Sequence, residues 1–221
     1  MTARMVIFDF DGTLADSFGW FLAQLDDVAK RYHFRRIRPE EVADFRQLDA
    51  RQILDRLGLP RWKLPLVAAH MRSLQAKADI RLFPGVPTLL DDLSRSGLRL
   101  ALVSSNAATN VRRILGPDIL ARFDHLDCGA GVFGKAGRLK TVLRRASLAA
   151  AQTIAVGDEI RDIEAARTCG ITTGAVSWGY TDGDALAAHA PDFLVHSLDA
   201  LRTALLERAG KDSFQGRVPP P

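Results

Sequence analysis

Six short apolar runs recur along the chain, at residues 5–10, 98–103, 123–128, 153–156, 171–176 and 193–195. None alternates apolar with polar positions, which is the pattern of strands covered on both faces rather than of half-exposed ones. Between the runs, residues 86–96, 107–115, 138–146, 162–168, 184–189 and 198–208 read as helices. Strand and helix in alternation predict an α/β fold built on a doubly wound, mostly parallel sheet. Such sheets bind ligands at the carboxyl ends of their strands, where the strand order reverses.

One interval interrupts the alternation. Residues 16–82 contain no strand-like run, and Phe18, Phe21, Leu22, Leu25, Val28, Ala29 and Tyr32 fall on one helical stripe. Further helix starts are marked by Pro39 with Glu40 and Glu41 behind it, and by Asp49 as the N-cap of a helix ending near Gly58. A last one begins near Pro65 and runs towards Ala78. The pattern predicts an all-helical insertion, 16–82, between two parts of an α/β core, 1–15 and 83–209. The polar, Pro/Gly-rich residues 210–221 are expected to form a mobile tail.

Composition adds bounds. With 221 residues, 47% hydrophobic and 25% charged, the chain can bury a core and is not of disordered composition. No apolar run approaches the ~20 residues of a membrane span. Met1-Thr2-Ala3-Arg4 leads directly into the first strand without a signal-peptide pattern, so no membrane partner and a cytoplasmic location are expected. Cys128 and Cys169 are too few for a disulfide framework and too far apart for a Cys-x-x-Cys site.

Charge changes the picture only locally. The 30 Lys/Arg and 26 Asp/Glu give +4, of which residues 16–82 hold 13 basic and 9 acidic, leaving 17 of each elsewhere. The whole excess lies in the helical insertion, densest at residues 30–38. That stretch reads either as a solvated helix end and loop or as a surface for an anionic ligand. A net charge this small predicts no nucleic-acid partner.

The chemistry is concentrated at strand ends. Asp9-Phe10-Asp11-Gly12-Thr13 follows the first apolar run. Two carboxylates that close repel unless a cation sits between them or one stays protonated. Gly12 allows a sharp turn, and Thr13 adds a hydroxyl where an anion could be held. Gly157-Asp158-Glu159-Ile160-Arg161-Asp162 follows the fourth run. On a helix, Asp158 and Asp162 would share a face and, with Asp9, form an oxygen-rich site suited to Mg²⁺. Ser104, Ser105 and Asn106 stand at a strand-to-helix junction, where free backbone N–H groups favour anions. Lys135, after the Gly-rich residues 129–134, is the candidate phosphate cation, with Lys140 as its rival.

In this order these elements resemble the haloacid dehalogenase superfamily, over almost the whole chain. The resemblance implies a Rossmann-like core with Asp9 as nucleophile and metal ligand. It makes Asp11 the general acid/base and a metal ligand through its backbone carbonyl. Ser104 would hold the phosphoryl group beside Gly12, Thr13, Ser105 and Asn106, Lys135 would neutralise phosphate and nucleophile, and Asp158 and Asp162 would complete the Mg²⁺ site. The family often has Lys-Pro at the third motif, where this chain has Gly134-Lys135-Ala136-Gly137. The insertion resembles the helical cap of the subfamily that includes phosphoglycolate phosphatases and β-phosphoglucomutase, and Ser177-Trp178-Gly179-Tyr180 resembles the phosphoglycolate phosphatase branch.

The implied activity is Mg²⁺-dependent hydrolysis of a small phosphorylated metabolite, phosphoglycolate-like or a sugar phosphate, through an aspartyl-phosphate, by a monomer or homodimer. A phosphomutase is the alternative, since it would share both aspartates and the cap. A carbon-attacking dehalogenase has no use for the second acid, Asp11, and a transport ATPase would have Thr there and membrane spans. A non-enzymatic receiver domain would carry its phosphorylated Asp after the third strand, at Asp124 or Asp127, with no cap. Arg51, Lys63 and Arg72 are the insertion's candidates for a substrate carboxylate or second phosphate.

Overall fold

The computed structural model describes residues 2–129 and 134–210. Six strands, β1 (Met5–Phe8), β2 (Arg99–Val103), β3 (His125–Asp127), β4 (Thr153–Gly157), β5 (Thr172–Val176) and β6 (Phe193–Val195), form one sheet in the order β3-β2-β1-β4-β5-β6. Every pairing is parallel, so the sheet is wholly rather than mostly parallel. The chain moves outward from β1 to β3, then returns to place β4 on the other side of β1. That reversal puts the carboxyl ends of β1 and β4 side by side.

The absence of alternation in the strand sequences has a direct cause. Val6, Phe8, Leu100 and Leu102 point to one face, Met5, Ile7, Ala101 and Val103 to the other, and both faces are buried. The helices α1 (Phe18–Tyr32), α2 (Val42–Phe45), α3 (Ala50–Arg56) and α4 (Leu64–Gln75) precede those of the core: α5 (Val86–Arg95), α6 (Ala108–Leu120), α7 (Lys135–Ala146), α8 (Ile160–Thr168), α9 (Gly183–Ala188) and α10 (Leu198–Ala209). Leu89, Leu90 and Leu93 of α5, Val111 of α6 and Leu201 of α10 cover the first face. Leu139 and Val142 of α7 and Ala165 and Ala166 of α8 cover the second.

Between residues 16 and 82 the chain is helical and carries its own apolar cluster of Val28, Phe45, Leu54, Leu57, Leu59 and Val67. The two crossings into it lie together: Ala15 bridges Leu82, and the Asp16 amide donates to the Arg81 carbonyl at 2.9 Å. None of the described helices is long and apolar enough to cross a membrane.

Several boundaries differ from the sequence expectation, four of them in ways that bear on the fold or the site. The strand expected over 5–10 stops at Phe8, because the chain curls and the Phe10 carbonyl accepts from the amides of Thr13, Leu14 and Ala15. β3 is shorter than 123–128. α6 runs past residue 115 to Leu120 across a break at Gly116, whose φ of 68° precedes Pro117. α7 starts at Lys135 rather than residue 138, which places that lysine in the first helical turn. The expected tail, apart from Gly210, lies outside the described residues, as do residues 130–133 of the Gly-rich stretch.

Candidate active site

Asp9 follows β1 and Asp158 follows β4, so strand order alone makes them neighbours. Asp162 joins them from the first turn of α8, and one carboxylate oxygen from each lies within 4.8 Å of the others. All three side chains are buried. Asp158 is held from both sides: Thr13 Oγ1 donates to its Oδ1 at 2.6 Å and the Tyr180 amide to its Oδ2 at 2.8 Å. The Glu159 amide donates to Asp162 Oδ2 at 3.0 Å, a return bond at the start of α8. Lys135 Nζ, carried by α7, lies 2.6 Å from Asp162 Oδ1 and 3.0 Å from Asp9 Oδ2.

Burial and mutual repulsion act together on this cluster. Burial pushes the Asp9 carboxyl above its usual range against the pull of Lys135. Asp158 is pushed well above it, first by burial and then by Glu159, Asp9 and Asp162. Burial works to neutralise Lys135, but Asp162 and Asp9 outweigh it and the ammonium is stabilised. Arg161, paired with Glu159, is likewise kept charged by Glu159, Asp162 and Asp9 against its burial. Four acids, Asp9, Asp158, Glu159 and Asp162, thus face two cations, and a divalent ion would balance the excess. Carboxylate-only donors suit a hard cation such as Mg²⁺, so the residues fit the metal that the sequence implies.

Asp11 has different surroundings. Its Oδ1 accepts from Gln75 Nε2 at 2.7 Å and its Oδ2 from Asn106 Nδ2 at 3.0 Å, so its side chain stands apart from the carboxylate cluster. Burial first and Asp9 second raise its carboxyl to about 6, while hydrogen bonds from Gln75, Ser17 and Asn106 act to lower it. Ser104 is buried at the end of β2, and its Oγ accepts from the Asn106 amide at 3.0 Å. The family model for haloacid dehalogenase-like hydrolases matches residues 6–176 of this chain. The chain belongs to that family.

Among relatives of this haloacid dehalogenase-like hydrolase is a phosphoglycolate phosphatase of Synechococcus elongatus, 34% identical over 207 residues, covering 92% of this chain and 98% of the relative. A Mycobacterium tuberculosis protein named tyrosine-protein kinase PtkA is 28% identical over 210 residues, covering 91% of this chain and 72% of its own length. In fold the chain is similar to the crystal structure of a predicted phosphatase from Clostridium acetobutylicum, with TM-score 0.79 and 18% identity, covering 94% of this chain and 100% of that one. The protein is a phosphatase-type hydrolase with an inserted helical cap.

The hydrolase's remaining sequence candidates separate cleanly. Lys135 reaches the acid cluster, whereas Lys140 is exposed on the same helix. The Thr13 hydroxyl is directed to Asp158 instead of an open anion position. Gly12 has φ +76°, and a Cβ there would lie 2.2 Å from Asp158 Oδ2, so both backbone and space demand glycine. Ser105 and Asn106 line a cavity of about 800 Å³ between cap and core, as do Arg51 and Arg72 from the cap. Lys63 turns away, donating to the Tyr32 carbonyl at 2.9 Å. Gln75, Arg46 and Gly179 were not singled out by sequence reasoning as bonding or close-approach residues of the site. Arg46 donates to the carbonyls of Gly179 (3.0 Å) and Tyr180 (3.2 Å), fastening cap to core. Their signal is tertiary: Gln75 bonds Asp11 and Arg46 bonds Gly179 across 64 and 133 positions, and Gly179 lies against Asp158 from the end of a different strand.

Proposed function

We propose that the protein is a Mg²⁺-dependent phosphatase that hydrolyses a small phosphomonoester, phosphoglycolate-like, through an aspartyl-phosphate on Asp9. The observation that carries this reading is the contrast between the two acids beside β1: Asp9 sits against Lys135 and the carboxylate cluster, Asp11 against two amides beneath the cap. The substrate class follows the name of the Synechococcus relative.

An Asp9 carboxylate oxygen attacks phosphorus, and the bond from phosphorus to the ester oxygen breaks. Asp11, able to carry a proton near neutrality, gives it to the departing oxygen. A water then attacks the acyl-phosphate while Asp11 takes its proton, and inorganic phosphate leaves Asp9. Ser104 and Lys135 hold phosphoryl oxygens. The carboxylates of Asp9, Asp158 and Asp162 and the Asp11 carbonyl would hold Mg²⁺, which when bound supplies positive charge to the phosphoryl oxygens and keeps Asp9 ionised. The cap excludes bulk water during transfer.

Phosphate release from 2-phosphoglycolate, sugar phosphates and p-nitrophenyl phosphate, with Mg²⁺ and after chelation, tests the reading. Turnover is expected only with the metal and is expected to vanish in Asp9→Asn. Turnover without metal, or an active Asn variant, would overturn the scheme. Isomerisation of a sugar phosphate without phosphate release would make the protein a phosphomutase.

A further inference from the structure

We propose that Gln75, in the last turn of cap helix α4, is a positioning residue that holds the Asp11 carboxyl in line with the leaving oxygen. The inference rests on the reading of Asp11 as the general acid.

The arrangement is built from both sides of the cap–core boundary. Gln75 is only 6% exposed, and its Nε2 donates to Asp11 Oδ1 at 2.7 Å. Asn106 Nδ2 donates to the other oxygen at 3.0 Å. The Asn106 amide cannot turn round, because its Oδ1 already accepts from the Ala107 amide at 2.7 Å and from Asn110 Nδ2 at 3.1 Å. Asp11 is therefore gripped at both oxygens by amide donors, Asn106 from the core and Gln75 from the cap, with the Ser17 hydroxyl as a further donor.

The cap donor is itself anchored. The Gln75 carbonyl accepts from Arg113 Nη2 at 3.0 Å, and the Arg72 carbonyl from Asn110 Nδ2 at 3.0 Å. Asn106, Asn110 and Arg113 recur at four- and three-residue spacing beside α6, so one face of that helix receives the end of α4. Burying a glutamine amide is unfavourable unless it is hydrogen-bonded, and its partner here is the side chain that must deliver a proton. Proton transfer requires an approach of about 2.6–3.2 Å, and a misplacement of about 1 Å can cost roughly 100-fold in rate.

The test separates positioning from general support of the cap by varying how much the leaving group needs an acid. An alkoxide must be protonated as it leaves, whereas p-nitrophenolate departs without a proton. The measured quantity is kcat/KM at saturating Mg²⁺, which reports formation of the aspartyl-phosphate and not its hydrolysis. In Gln75→Met, kcat/KM for the alkyl phosphate is expected to fall about 10- to 100-fold while that for p-nitrophenyl phosphate changes less than about threefold. Gln75→Glu retains shape and polarity but replaces the donor by a second acid, and the same split is expected should the Met variant fail to fold. Equal losses on both substrates, or no loss on either, would overturn the inference. Asp11→Asn is measured in parallel. If it shows the split and neither Gln75 variant does, the role of Gln75 alone fails. If Asp11→Asn shows no split, the acid role of Asp11 fails and takes the inference with it.

Discussion

Asp9 and Asp11 are chemically identical residues two positions apart, and what distinguishes them is their immediate company. Lys135 stands 3.0 Å from Asp9, while Asp11 receives neutral donors, the Gln75 and Asn106 amides at its two oxygens and the Ser17 hydroxyl. The same sensitivity to near neighbours governs the glycines. Gly12 was legible because it directly follows the acids. Gly179 was not: its Cα lies against Asp158 only because β5 leaves the sheet beside β4. A Cβ on residue 179 would lie 2.2 Å from Asp158 Oδ2, and Asp158 cannot retreat from Thr13 and the Tyr180 amide. Gly179→Ala is therefore expected to cost about 1–3 kcal/mol of stability. It should also weaken the apparent Mg²⁺ affinity by roughly 10- to 100-fold. Thermal melts and Mg²⁺ titration of turnover check this, and an unchanged half-saturating Mg²⁺ concentration would contradict it.

At the scale of elements, the stripe along α1 was read as one apolar face, but it does two jobs. Leu25, Val28 and Ala29 are buried, whereas Phe18 and Phe21 set their rings edge-on to Tyr180 of the core, at 5.1 and 5.3 Å between centroids. The basic stretch 30–38, open between a solvated surface and an anion site, is largely paired within the cap: Lys30 with Asp26 and Asp27, Arg36 with Asp26, Arg35 and Arg38 with Glu41. These contacts favour the solvated-surface reading. Arg46 is a cap cation committed to the core, bonded to two carbonyls and lying 5.2 Å over the Phe18 ring. Its truncation, Arg46→Ala, is expected to loosen cap closure by roughly 1 kcal/mol, about a fivefold rise in KM. The rise should be equal for alkyl and aryl phosphates, unlike the effect at Gln75. Steady-state kinetics on both substrates decide, and an unaltered KM would show that the clasp does not control closure.

Across the whole molecule, the sheet gathers acids that are costly to bury together, and this ties stability to metal and pH. Asp9, Asp158 and Glu159 are each raised above the usual carboxylate range, burial being the first cause. The folded state then holds protons more tightly than the unfolded one. The metal-free protein should lose stability as pH rises from about 4 through the raised values. A bound cation relieves that repulsion, so Mg²⁺ at about 100 times its Kd should raise Tm by roughly 5–10 °C near pH 7.5. The gain should be smaller near pH 5, where protons compete for the same oxygens. Melting curves with Mg²⁺ and with chelator at both pH values check this, and an equal or larger shift at the lower pH would refute it. The sequence by itself determined the α/β class, the helical interruption and the acids at the ends of the first and fourth strands, because periodicity and motif chemistry are properties of residues close together in the chain. The sequence preferred Lys135 to Lys140 as the phosphate cation, but only the tertiary structure showed that lysine's Nζ against Asp9 and Asp162, turned Thr13 towards Asp158 and brought Gln75 and Arg46 to the core. Those outcomes depend on strand order and helix phase, which bring together side chains that no local pattern connects.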